Sequence, residues 1–104
     1  MEQKGKVVDE QIAEIEQSIC DFFSLAYEDV FSKKLRRDLA LARHLTVYVL
    51  HRKCGISINR LAKRYNSSAR YITKSCASID FYINHDKKYK NYYNCLIQYM
   101  KKGE

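Results

Sequence analysis

Proline is absent from this chain of 104 residues, and glycine occurs three times, at Gly5, Gly55 and Gly103. With so few backbone breakers, long stretches are free to coil, and the many Lys, Leu, Ala and Glu favour helix over strand. Apolar residues then recur at steps of three and four, the spacing that lines one side of a helix. The expected fold is all-α, a small orthogonal bundle of five or six helices. Residues 1–7 read as a loose tail and 8–102 as one domain.

Asp9 is placed to cap a first helix over 9–23, with Ile12, Ile15, Ile19, Phe22 and Phe23 on its apolar side and acids opposite. A single helical turn is expected over 27–31. A basic loop, Ser32-Lys33-Lys34-Leu35-Arg36-Arg37, leads to Asp38, which opens a long helix to Lys53. Leu39, Ala42, Leu45 and Val49, with Arg52 following in step, form one stripe. Leu41, Val47, Tyr48 and Leu50 widen it, so this helix is expected to be central and covered on more than one side. Gly55 suits a left-handed cap.

The segment ISINRLAKRYNSSARYITKSCASI at 56–79 has the physical make-up of a helix-turn-helix. Ser57 caps a short helix to Tyr65, Asn66 supplies a left-handed turn residue, and a second helix spans 68–83. Leu61 and Tyr65 point inward from the first helix, and small Ala62 marks the crossing. Ala69, Ile72, Cys76, Ile79 and Ile83 form the second helix's spine. Ser67, Ser68, Arg70, Tyr71 and Lys74 then face outward near its start, the part of such a helix that reaches base edges in the major groove. Arg70 is suited to guanine, Lys74 to a base or phosphate, and Tyr71 to a thymine methyl or phosphate. Ser67 and Ser68, and with them Ser57 and Lys63, are expected to anchor phosphates. A last helix over 86–101 carries Tyr89, Tyr92, Tyr93, Leu96, Ile97 and Met100.

Charge supports a polyanionic partner. Residues 1–31 hold eight acids and two lysines, a balance of −6, whereas 32–104 hold seventeen Lys and Arg and four acids, a balance of +13.

The chain resembles a known family from Ile12 to Met100, most specifically in VFSKKLRRDLALARHLTVYVL and SINRLAKRYN. These stretches are similar to the C-terminal DNA-binding domain of the bacterial chromosomal replication initiator DnaA, a helix-turn-helix domain of Trp-repressor-like type. The resemblance implies duplex DNA as partner and a role in replication or transcription regulation. It places Lys33, Lys34, Arg36 and Arg37 beside the minor groove and its phosphates, supported by Arg43 from the long helix. Leu35 stands at the family's minor-groove arginine. The family's Arg-Asp-His-Thr-Thr-Val signature is replaced by the stretch at 66–72, so the family's DNA box is not expected to be read. No G-x-x-x-x-G-K-[ST] phosphate loop is present. The reading is therefore a stand-alone relative lacking the ATPase domain.

Other chemistry finds little support. No carboxylate pair or matched nucleophile suggests an enzyme, and no cofactor is expected. His44 and His51 lack a third metal ligand, and Cys20, Cys54, Cys76 and Cys95 form no C-x-x-C pair. Cys76 and Cys95 fall on apolar helix faces and are expected to be buried free thiols. With no apolar run near the ~20 residues of a membrane span and no secretory signal, the expected place is the cytoplasm. Two alternatives remain. One is a protein-interaction module using the acidic first helix or the tyrosine-rich last one. The other is a single-strand or RNA binder using the tyrosines interleaved with Lys87, Lys88 and Lys90; the simpler expectation is that those rings pack the last helix onto the core.

Overall fold

The computed structural model describes residues 3–32, 34 and 36–102. Six α-helices follow in order: α1 (Gln3–Phe23), α2 (Tyr27–Val30), α3 (Arg37–Tyr48), α4 (Ile58–Arg64), α5 (Ala69–His85) and α6 (Lys87–Lys102). They form the small all-α bundle that the apolar spacing predicts. α3 continues through one π-helical turn, Val49–Lys53, in which the Cys54 N–H reaches back to the Val49 carbonyl at 3.2 Å.

α3 is the hub. Its Leu39, Ala42, Leu45 and Val49 pack with Ile19, Cys20, Val30, Ile79 and Leu96 in one cluster. Its Val47 and Leu50 pack with Ile12, Ile56, Leu61, Ala62, Ile72 and Cys76 in a second, directly beneath α4 and α5. A helix buried on two sides cannot show a narrow apolar stripe, which accounts for the broad apolar surface of its sequence.

Several boundaries and placements correct the sequence reading. α1 begins at Gln3, so Asp9 lies inside the helix and not at its cap, and its carboxylate accepts from the Arg60 guanidinium at 2.8 Å. The cap position of α3 is Arg36, with Asp38 in the first turn. Arg52 is exposed and pairs with Asp80 of α5. Ala69 is exposed rather than part of the α5 spine, which begins at Ile72. Cys95 is exposed, not buried; Cys20 and Cys76 are buried, and all four thiols are unbridged. Burial first, then the nearby Asp21 and Glu16, push the Cys20 thiol up to about 11, which keeps it protonated and unreactive.

Gly55 ends α3 with φ +71°, and the Ile56 N–H donates to the Leu50 carbonyl at 3.0 Å across it. A Cβ at Gly55 would meet no atom within 4 Å, so only backbone strain opposes a side chain. Gly55→Ala is expected to cost about 1–2 kcal/mol, the left-handed penalty for a residue with a Cβ. Urea unfolding followed by circular dichroism measures it, and an unchanged midpoint contradicts it.

Candidate nucleic-acid interface

Two capping serines and a left-handed asparagine set the start of α5. The Ser57 hydroxyl accepts from the Arg60 N–H at 3.1 Å and opens α4. The Ser68 hydroxyl accepts from the Tyr71 N–H at 3.0 Å and opens α5. Between the helices Asn66 adopts φ 49°, and the Ser67 N–H donates to the Ala62 carbonyl at 2.9 Å. That last bond leaves the Ser67 amide unavailable to the phosphate that Ser67 is expected to anchor. Each capping hydroxyl acts as acceptor, so its own proton remains to be donated.

Leu61 and Ile72 are wholly buried, and Ala62 lies with them in the cluster under α4 and α5. Burying Ile72, Ser75, Cys76 and Ile79 turns Arg70, Tyr71 and Lys74 outward. Arg70 and Lys74 sit one turn apart and are both exposed, as expected. Tyr71 is 40% exposed, with its ring 5.9 Å from that of His44. The Ser75 hydroxyl donates to the Tyr71 carbonyl at 2.9 Å. It therefore has only lone pairs left for His44 Nδ1, 2.9 Å away, which makes that nitrogen the donor. Desolvation, then the Arg43 charge, lowers the His44 pKa and favours the neutral ring.

The basic loop is held from α3. Arg43 donates through Nη1 to the carbonyls of Val30 (2.9 Å) and Ser32 (3.2 Å), and through Nη2 to that of Lys34 (2.9 Å). Lys34 pairs with Asp29 and Arg36 with Asp38, both at 2.6 Å, and Arg37 is exposed. The Arg36 hydrogen bond holds the Asp38 carboxyl below the usual carboxylate range. Lys33 and Leu35 lie outside the described residues.

Loop and helix start meet at a cleft of about 790 Å³. Ser32 and Arg43 line one side; Asn66, Ser67 and Tyr71 line the other. The Ser67 hydroxyl is buried without a hydrogen-bond partner among the described residues. Of the residues singled out from sequence, Arg43, Ser67 and Tyr71 share this cleft, while Lys34, Arg36, Arg37, Ser57, Lys63, Ser68, Arg70 and Lys74 do not line it.

The floor of the cleft holds a group that the sequence reading missed. Glu16 was assigned to the acidic side of α1, yet it is wholly buried. Its carboxylate accepts from Arg64 Nε (3.0 Å) and Nη2 (2.8 Å), from the Tyr65 hydroxyl (2.7 Å) and from the Tyr27 hydroxyl (3.1 Å). α1, α2 and the end of α4 are thereby tied to one point. The signal was available: Glu16 follows Ile12 by four and precedes Ile19 by three, which puts it on the apolar stripe. Tyr65 also stacks on Phe31 at 5.5 Å with planes 9° apart, closing the cleft from beneath the loop.

No family model matches the chain. It is similar to the chromosomal replication initiator protein DnaA of Pseudothermotoga lettingae, 33% identical over 51 residues, which cover 49% of this chain and 12% of that protein. The DnaA of Oleidesulfovibrio alaskensis is 27% identical over 70 residues, 67% of this chain and 15% of the relative. That of Gloeobacter violaceus is 32% identical over 60 residues, 58% of this chain and 13% of the relative. The chain is thus similar to a short portion of the chromosomal replication initiator protein DnaA, spanning 12–15% of each relative's length.

Proposed function

We propose that this chain binds double-stranded DNA, with α4 and α5 acting as a helix-turn-helix whose second helix enters the major groove while the basic loop lies at the minor groove or its backbone. The observation that carries this reading is the shared cleft between loop and α5. Major and minor grooves are separated by one sugar–phosphate strand, so a protein that reaches into both must straddle that strand. The cleft supplies the saddle, and Tyr71, 40% exposed on its lining, supplies a hydroxyl donor. Arg70 and Lys74 are exposed on α5, and Lys34, Arg36 and Arg37 are exposed on the loop. The exposed Lys34–Asp29 and Arg36–Asp38 pairs oppose this little, because surface ion pairs are worth about 0–1 kcal/mol and exchange readily for phosphate.

Likeness to part of DnaA supports a DNA partner and a setting in replication, with transcription regulation as the other use of such a module. The altered stretch at 66–72 argues for a site of its own, read chiefly by Arg70, Tyr71 and Lys74, with Ser57, Lys63, Ser67 and Ser68 at phosphates.

The test is selection from a random duplex library, followed by binding across a salt series. With about six phosphates contacted, log affinity is expected to fall with log salt at a slope near −5. Arg70→Ala is expected to cost about 1–3 kcal/mol and relax discrimination at one position; Arg36→Ala is expected to weaken all sequences alike and reduce the slope by about 1. A flat salt response, or Arg70→Ala binding as well as the parent, contradicts the reading.

A further inference from the structure

We propose that the aromatic junction of α5 and α6 is a second nucleic-acid surface, built to stack the bases of single-stranded DNA. Phe81 is 57% exposed, Tyr82 42% and Tyr92 40%, so the simpler expectation that the tyrosines pack the last helix onto the core fails for Tyr82 and Tyr92. The rings are ordered against one another. Phe81 stacks on His85 at 4.3 Å with planes 16° apart, and Tyr82 stacks on Tyr89 at 4.7 Å with planes 19° apart. The two stacks meet edge to face where Phe81 approaches Tyr82, 5.9 Å between centroids and 79° between planes. Four rings thus form one contiguous surface at the end of a helix.

Its charge selects the occupant. Lys87, Lys88 and Lys90 are exposed in the first turn of α6, and none pairs with a carboxylate among the described residues. The Lys88 ammonium lies 6.0 Å from the Tyr92 ring. The nearby acids are engaged: Asp80 accepts from Tyr48 and Arg52, and Asp86 accepts the Lys88 backbone N–H at 2.9 Å. Exposed ring faces with a surplus of ammonium groups match a strand whose bases are unpaired and whose backbone is anionic. A duplex keeps its bases inside its own stack and offers nothing to these rings. Two copies meeting through this patch would set lysines against lysines.

The choice of DNA over RNA rests on the duplex reading above. Phe81 and His85 continue the exposed side of α5 that carries Arg70 and Lys74, roughly 16 Å farther along at 1.5 Å per residue. A strand opened next to a bound duplex would arrive there.

The test measures fluorescence anisotropy of labelled oligothymidine, oligouridine and duplex with the full chain, a Phe81→Ala/Tyr82→Ala variant and Arg70→Ala. Thermal melting checks that each variant remains folded, which is expected for exposed positions. The double variant is expected to lose about tenfold or more in affinity for oligothymidine while holding its duplex affinity; Arg70→Ala is expected to do the reverse. Oligothymidine binding that survives the double substitution, or is absent from the parent, overturns the proposal. Tighter binding of oligouridine overturns the assignment to DNA. Self-association that the double substitution removes, with strand binding untouched, assigns the patch to a second copy instead. If the parent binds oligothymidine through the rings but ignores duplex, the duplex reading falls and the stacking surface stands.

Discussion

Glu16→Ala is expected to lower the free energy of unfolding by about 3–5 kcal/mol, the usual cost of removing one partner from a buried ion pair. The substitution removes the carboxylate from Arg64, whose side chain is 27% exposed, and leaves the hydroxyls of Tyr27 and Tyr65 without their acceptor. Both hydroxyls have pKa values raised above the ordinary tyrosine range, first by burial, a cause that the substitution leaves in place, and next by Glu16. For a domain whose whole stability is about 5–15 kcal/mol, such a loss brings it near unfolding at ordinary temperature. Glu16→Gln keeps the shape and part of the bonding, and is expected to cost less. Urea denaturation of the three proteins, followed by circular dichroism, gives the comparison; a cost below about 1 kcal/mol for the alanine variant would mean that Arg64 finds another partner easily.

A second large effect is expected at Arg43, and in binding more than in folding. Its guanidinium accounts for the carbonyls of Val30, Ser32 and Lys34 at once, so it fixes the path of the loop without drawing on the loop's own cations, of which Lys34 and Arg36 sit in exposed ion pairs. Arg43→Ala is expected to reduce duplex affinity by about tenfold, because the loop must then be ordered at the moment of binding. It is also expected to speed tryptic cleavage within 32–37. Arg43→Lys is expected to restore little, since a single ammonium cannot fork to three carbonyls as the planar group does. Unchanged affinity with faster cleavage would separate the loop from the binding surface.

The features that sequence made plain are those set by local chemistry. Ser57 and Ser68 cap as their type demands, Asn66 and Gly55 adopt the left-handed conformations that asparagine and glycine tolerate, and the breadth of apolar residues on α3 marked it as central. What sequence concealed depends on distant partners. Helix α1 runs back to Gln3 although Asp9 is a good capping residue, and the Asp9 side chain meets Arg60, 51 positions away, instead of capping. Ser24 takes φ 56° after α1 without being a glycine. Ala69 matches the apolar spacing but comes one turn before α5 gains cover, and Cys95 faces solvent because α6 ends the bundle with a single covered side. Glu16 is the instructive case: its spacing argued for burial and its charge against, and Arg64 and two tyrosines from other elements decided the outcome.

One measurement bears on the central claim most directly: backbone amide shifts recorded while a selected duplex is titrated into the labelled protein. The expected result is saturable change at 67–74 and at Lys34, Arg36, Arg37 and Arg43, with 81–92 left unperturbed. Changes concentrated on α1, or confined to one side of the cleft with the loop silent, would contradict a grip that spans the strand between two grooves.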